Sequence, residues 1–428
     1  MDTASESTLK AAVHGGCPVL AGYDPLAVEE LRNPDPSLRR ARQEAPVFYD
    51  EKYGFWSVTR YADVLAVLAD DEHYSNRMAI PMPKPPEDLR ERMPVYPFET
   101  ALLFMDDPEH RPARTMVQEP FVPRRLRARE PRIYARAQEL ISQRSDRHIE
   151  FLKEYSLPLA LTVIGDLVGV PEPDWPMLEE SIFGAFEIAK IASGVVSDPA
   201  EIRRLAEGQA AYWDYLVALA EERRRNPTDD FSSVLAAQVN PEDGSHFSAQ
   251  DIAGHINTML GAGFETSAQL LTFGVHAILS HRDQWELLKS DRSLLPGAVE
   301  ECVRWRAIPK RIFRLTKTDV EIGGVTVPEG ALLALLLGSA NHDESAFEDP
   351  DRFDIRRAPV PSNLTFGRGM HFCLGAPLAK TELRITLETL LDLAPDVRLD
   401  ETQELEWNPD IRLESLTALY VDLGPSPS

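Results

Sequence analysis

Phe366-Gly367-Arg368-Gly369-Met370-His371-Phe372-Cys373-Leu374-Gly375 sets one cysteine in a loop punctuated by three glycines. Glycine lets a backbone turn tightly and approach a large flat ligand closely. Ala376-Pro377-Leu378-Ala379-Lys380 follows at once, with a proline suited to the first turn of a helix. A thiol just ahead of a helix N-terminus feels its partial positive charge, and loop amides aimed at the sulfur add to it. Both effects lower a thiol pKa and favour an anionic metal ligand. The ordinary alternative for any one cysteine is a buried, inert side chain acting as a small hydrophobe.

Around that loop lie 428 residues, enough for one large domain or two to three average ones. Acidic side chains outnumber basic ones 69 to 45, giving a net charge of −24, which argues against nucleic acid and anionic membrane as partners. Cys17, Cys302 and Cys373 are far apart with no CxxC pair, so neither a disulfide framework nor a zinc site is indicated, and a reducing cytoplasm fits. The segment from Met1 to Gly22 lacks the apolar core of a signal peptide, and the longest apolar run, Ala331 to Leu337, is too short to cross a bilayer. Residues 1–20 are expected to be disordered and the rest, 21–428, to be folded, in a soluble, cytoplasmic protein.

Toward the N-terminus, Phe55 to Thr59 reads as a short strand, and Val64, Leu65, Val67 and Leu68 form a helical stripe after it. Between Tyr74 and Met105 the pattern dissolves. Prolines 81, 83, 85, 86, 94 and 97 forbid helix there, while Met78, Ile80, Met82, Tyr96, Phe98 and Phe104 give the stretch the apolar content of a lid. His110 and Arg114 then share a helix face as two cationic donors. Arg124, Arg125, Arg127, Arg129 and Arg132 make a basic run in an acidic protein, suited to an acidic protein partner or to plain solvation. Successive amphipathic helices occupy 157–238, broken at Pro171-Glu172-Pro173, around Ser193 to Asp198, and at Asn226-Pro227.

Ser248-Ala249-Gln250-Asp251 is a capping pattern that opens a helix expected to run unbroken to about Ser280, roughly 50 Å at 1.5 Å per residue. Inside it, Gly261-Ala262-Gly263-Phe264-Glu265-Thr266 carries two glycines, each costing about 1 kcal/mol relative to alanine. Close helix packing with a bend at the threonine accounts for them in one reading. In the other, the missing Cβ atoms open a groove for a diatomic ligand, and Glu265 and Thr266 relay protons into it. Further on, Glu301 and Arg304 are three apart on one helix face, and Val320 to Gly330 alternates and turns as a hairpin does. The tail from Trp407 to Leu423 is also strand-like.

Together these stretches resemble the cytochrome P450 family. The cysteine loop matches its haem-binding loop at each fixed position. Glu265 and Thr266 match its acid–alcohol pair, and Glu301-Cys302-Val303-Arg304 its Glu-x-x-Arg pair. Phe347, Pro350, Arg352 and Phe353 match the downstream segment whose arginine, here Arg352, joins that pair. The resemblance spans essentially the whole chain after residue 20. One departure is that the family usually has a proline four residues past the arginine, whereas Pro309 comes five past Arg304.

The resemblance implies a mainly α, single-domain fold with small β-sheets and haem b between the long central helix and the cysteine loop. Cys373 would ligate the iron, with Phe366 and Gly375 beside it, and His110, Arg114, Arg314 and His371 would donate to the propionates. Thiolate ligation favours O–O cleavage. The implied activity is monooxygenation by O2, giving hydroxylation or oxidative dealkylation. No GxGxxG follows a strand and Gly367-Arg368-Gly369 lacks a third glycine, so electrons are expected from a separate protein, and the resemblance to soluble bacterial members of the family implies a ferredoxin and ferredoxin reductase. A peroxide-driven peroxygenase and a haem sensor or ligand carrier without turnover are the alternatives.

Candidates for the substrate-pocket wall are Phe98, Leu102, Phe104, Phe183, Phe186, Ala262, Ile308, Ile312 and Leu416, pointing to a small, mainly apolar or aromatic substrate. In an extended strand Ile308, Lys310, Ile312 and Arg314 share one face, which makes Lys310 a candidate anchor for a carboxylate. The plainer reading has Lys310 and Arg311 facing solvent or the propionates.

Overall fold

The structure is a computed structural model that describes residues 18–77, 87–89, 102–192, 198–239, 244, 246–358, 361–411 and 413–425, with the side chains of Leu89 and of 185–192 excepted. In chain order, α1 (Asp35–Glu44) precedes the antiparallel pair β1 (Val47–Asp50) and β2 (Phe55–Val58), then α2 (Tyr61–Ala69) and β3 (Tyr74–Ser75). Helices α3 (His110–Val117), α4 (Pro123–Ser142), α5 (Leu157–Val168), α6 (Trp175–Ala192), α7 (Pro199–Arg225) and α8 (Ala249–Gly263) follow. After them come α9 (Glu265–Ser280), α10 (Leu295–Trp305) and four strands, β4 (Arg311–Thr316), β5 (Val320–Ile322), β6 (Val325–Val327) and β7 (Leu332–Leu336). The last elements used below are α11 (Leu337–Ala340), α12 (Ala376–Leu393), β8 (Trp407–Asn408) and β9 (Ser415–Leu416). Among the described residues no helix is long and apolar enough to cross a membrane.

The chain forms two compact units, each gathered from separate segments of sequence. The first comprises Met1–Ala79, Ala137–Ser156 and Thr266–Ser428, and the second Ile80–Arg136 and Leu157–Glu265. A five-stranded sheet in the order β1-β2-β7-β4-β3 organises the first unit. Its middle strand β7 comes from the apolar run after Gly330; it is parallel to β2, with Trp56 opposite Leu333, and antiparallel to β4, with Arg314 opposite the same leucine. Leu333, Leu335 and Leu337 pack among Val47, Trp56, Val58 and Val64, so the run is buried like a strand covered on both faces. Each such leucine contributes about 1.5–3 kcal/mol on full burial. Between β5 and β6 the turn is Gly323-Gly324 with φ of 57° and 80°, the conformation a two-residue hairpin needs.

In the second unit α8 packs on α5 and α7, and its start carries a reciprocal capping box between Ser248 and Asp251. Phe264 ends this helix (φ −80°, ψ −71°), and α9 begins at the next residue. The uninterrupted helix expected from Ser248 to Ser280 is thus two helices. The glycines on either side of Ala262 account for the weakness at that point, since they favour helix least after proline.

A second correction concerns the N-terminus. Tyr49 N–H donates to the Pro18 carbonyl at 2.9 Å and Leu20 is buried against Ala41, Ala45 and Phe48, so ordered structure begins by residue 18, inside the stretch expected to be disordered. Residues 1–17 lie outside the described residues, as do Met78, Ile80, Met82, Tyr96, Phe98 and the six prolines of the expected lid.

Candidate functional site

The cysteine loop belongs to the first unit and is turned by Gly367 and Gly369, at φ 71° and 68°. A Cβ on Gly369 would stand 2.5 Å from the Leu68 carbonyl oxygen of α2, a contact that only glycine permits. The Cys373 N–H donates to the Phe366 carbonyl at 2.9 Å, and the Gly367 N–H to that of Leu364 at 2.8 Å. These bonds close the loop from within. Cys373 and Phe372 are left exposed, and α12 begins three residues after the cysteine.

Cys302 has the opposite environment. It is buried, its thiol donates to the Gly274 carbonyl at 3.4 Å, and burial pushes its pKa far up. Cys373 is therefore the accessible thiol among the described residues, while Cys17 lies outside them. Phe366 lies under the Lys380 ammonium at 5.6 Å, and His371 is half-buried on the turn Gly369–His371. A Cβ on Gly375 would meet Cys373 Sγ at an ordinary 3.8 Å. Arg314, on β4, is buried and donates from Nη1 to the Phe313 carbonyl at 2.8 Å.

A buried polar network holds the start of this loop. Arg304 grips Glu301 with two bonds of 2.8 Å, both side chains being 2% exposed. The second arginine on Glu301 is Arg357, at 3.1 Å, and not Arg352. Arg352 is 63% exposed, its side chain pairs with Asp354 at 3.3 Å, and only its backbone carbonyl faces the network, accepting from Arg357. Arg304 also donates to the Asn341 carbonyl at 2.8 Å, and the Asn341 side chain bonds both Thr365 Oγ1 at 2.9 Å and the Leu364 N–H at 2.7 Å. Neither Arg357 nor Asn341 carries a sequence signal: each reaches its partner from a separate stretch of chain.

Glu265 and Thr266 are the first residues of α9, both half-buried. The two glycines before them differ in what surrounds them. A Cβ on Gly263 would come 2.8 Å from Ile164 Cδ1 on α5, so that glycine serves helix packing; a Cβ on Gly261 would meet nothing within 4 Å among the described residues. Ala262 between them is exposed. One residue beyond Thr266, Ser267 Oγ donates to Glu382 Oε1 on α12 at 3.4 Å. Burial raises the pKa of Glu382, beside α9, well above the usual carboxylate range, with the Ser267 bond opposing. Sequence reasoning missed it, because one glutamate in an amphipathic helix has no distinguishing pattern.

His110 and Arg114 lie on α3 of the second unit, the histidine buried and the arginine half-buried. Burial and then the Arg114 charge lower the His110 pKa. Three arginines of the basic run are committed within this unit. Arg125 pairs with Glu119 and Asp229, Arg129 donates to the Asp166 and Asp229 carbonyls, and Arg132 pairs with Asp166. Arg124 and Arg127 are exposed.

Of the expected pocket residues in the second unit, Leu102 is buried, Phe104 is half-buried, and Phe183 is exposed with its ring edge-on to Phe264 at 5.6 Å. Phe98 and the Phe186 side chain lie outside the described residues. In the first unit Ile308 and Leu416 are core residues packed on Phe273, and Ile312 is a half-buried flank of the sheet core. Lys310 precedes β4 and breaks the expected alternation: both Lys310 and Arg311 pair with the buried Glu414. Neither solvent nor a bound carboxylate is needed to answer the lysine charge. Burial, then Arg306, pushes its pKa down to about 7, against the pull of Glu414.

A family profile described as Cytochrome P450 matches residues 182–393. The chain is 34% identical over 409 residues to cytochrome P450 monooxygenase PikC of Streptomyces venezuelae, covering 92% of each. It is likewise 34% identical over 394 residues to a steroid C26-monooxygenase of Mycobacterium tuberculosis, covering 91% of this chain and 94% of the relative. Among solved structures, cytochrome P450 CYP109Q5 from Chondromyces apiculatus superposes with a TM-score of 0.81 at 33% identity, over 94% of this chain and 97% of that one.

Proposed function

The chain belongs to the cytochrome P450 family and is a haem b monooxygenase, and from that premise we propose that Cys373 supplies the thiolate ligand of the iron. The observation that carries this reading is the contrast between two thiols, Cys302 sealed in the core and Cys373 exposed on a glycine-turned loop ahead of α12. A haem group fits these residues. The loop closes on its own backbone bonds, leaves the thiol accessible, and presents it before a helix N-terminus that favours the thiolate.

Bound haem supplies oxygen activation, which thiolate ligation directs toward O–O cleavage. The chain supplies the rest. Arg114 and Arg314 would donate charged hydrogen bonds to the haem carboxylates and His110 and His371 would add N–H donors, with Phe366 and Gly375 beside the Cys373 ligand. Thr266 and Glu265 would hold and pass on protons at their hydroxyl and carboxyl, and the open space at Gly261 and the exposed Ala262 support room for a small ligand.

The substrate is a small, mainly apolar or aromatic molecule, hydroxylated or dealkylated, met by Leu102, Phe104, Phe183 and Ala262, with Phe98, Phe186 and Ile312 as further wall residues. The relative named for steroid C26 oxidation acts on a molecule of that apolar kind. A cytoplasmic ferredoxin and its reductase deliver the electrons. The test is NADH and oxygen consumption with a ferredoxin, its reductase and a panel of apolar substrates. Substrate-dependent consumption with oxygenated product supports the proposal; product formed only when hydrogen peroxide replaces the electron donor contradicts it.

A further inference from the structure

Asp35, at the first position of α1, meets His342, just after α11, and Asp351 in the following loop: one ligand atom from each lies within 4.8 Å of the other two. We propose that these three side chains bind one divalent transition-metal cation of the Zn2+ or Mn2+ type. His342 is 4% exposed, and its Nδ1 is 3.1 Å from the Gly338 carbonyl oxygen. A carbonyl only accepts, so Nδ1 carries the proton and Nε2 is left with its lone pair. Nε2 has no hydrogen-bond partner among the described residues although it is buried. This is the arrangement of metal-binding histidines, whose second nitrogen donates to a carbonyl that fixes tautomer and ring orientation.

Asp351 is set up the same way. Its Oδ2 pairs with Arg39 on α1, while its buried Oδ1 has no partner among the described residues. Two buried acceptors without donors, beside a second carboxylate, make a costly arrangement that a cation relieves. Ligand atoms about 2.0–2.2 Å from one ion sit about 3–4 Å apart, so binding draws these three together by at most about 2 Å. Asp35 and His342 also line a cavity of ≈ 230 Å³, which gives an ion a path in and room for the water molecules that complete its shell. One imidazole with two carboxylates suits Zn2+ or Mn2+ better than Mg2+ or Ca2+, which take oxygen ligands. Arg39 offsets one of the two carboxylate charges, so affinity is moderate.

Such an ion joins α1 to the loop after α11. That loop contains the Asp349 and Arg352 carbonyls that accept from Arg357, so the ion braces the Glu301 network from outside. The test uses EDTA-treated holoenzyme, in which the cysteine loop is occupied by haem, titrated calorimetrically with ZnCl2 and with MnCl2, and thermal unfolding followed with and without each salt. The expected result is one ion per chain and a higher unfolding midpoint, reversed by EDTA. His342→Ala and Asp35→Asn should each weaken binding at least tenfold, whereas His73→Ala, at a surface Asp–His pair, should leave it unchanged. Asp35 is only half-buried, so Asp35→Asn serves if His342→Ala fails to fold. Absence of both heat and midpoint shift, or binding within twofold of wild type in Asp35→Asn, overturns the proposal.

Discussion

Ser267 and Glu382 meet hydroxyl to carboxyl at 3.4 Å in the core, one residue along α9 from Thr266. Burial keeps the Glu382 carboxyl protonated well above its ordinary pKa of 4.5. The folded protein thus holds a proton that the unfolded chain releases once pH passes that ordinary value. Stability must then fall as pH rises from there toward the raised folded value. Glu382→Gln copies the neutral acid and removes the titration. In urea unfolding between pH 5 and pH 8, wild type should lose stability relative to Glu382→Gln as pH rises; a constant gap would mean that the carboxyl titrates normally.

The pairing of Arg357 with Glu301 makes a second prediction. Arg357 is 15% exposed and sits on a carboxylate that is 2% exposed, so Arg357→Ala should cost about 3–5 kcal/mol, the scale for removing one partner of a buried pair. Arg352→Ala removes an exposed side chain and should stay within about 0.5 kcal/mol. Denaturant midpoints of the two variants check this, and the reverse order would restore Arg352 to the network.

The glycines before Thr266 are separable by stability. Gly261→Ala adds a methyl in open space and should stabilise α8 by about 0.5–1 kcal/mol through helix propensity. Gly263→Ala pushes against Ile164, and overpacking of this kind costs about 1–3 kcal/mol. Thermal unfolding of both variants should therefore rank Gly261→Ala above Gly263→Ala, and equal midpoints would refute the packing role of Gly263.

Local patterns carried much of this fold. The Gly323-Gly324 turn and the Ser248–Asp251 cap were both legible because each is decided by neighbours in sequence. So was the cysteine loop, two of whose glycines, Gly367 and Gly369, occupy positive-φ positions. What stayed hidden was long-range pairing. Arg357 finds Glu301 across 56 residues and Arg311 finds Glu414 across 103, so neither periodicity nor spacing could separate Arg352 from Arg357, or tell that Lys310 has a carboxylate of its own. The break at Phe264 was missed because two glycines weaken a helix without deciding by themselves whether it is interrupted.

Proton delivery by Thr266 is tested through coupling and not through affinity. Thr266→Ala should bind substrate nearly as wild type does, yet yield less product per NADH consumed, with the missing oxygen recovered as peroxide. An unchanged product-to-NADH ratio would remove Thr266 from the relay.

The central claim is that Cys373 is the anionic ligand of the haem iron, and the carbon monoxide difference spectrum of the reduced protein tests it most directly. Wild type should show the red-shifted band of thiolate ligation. Cys373→Ser, whose hydroxyl is too weakly acidic to replace the thiolate, should lose that band even if haem is retained. A red-shifted band that survives in Cys373→Ser would contradict the account.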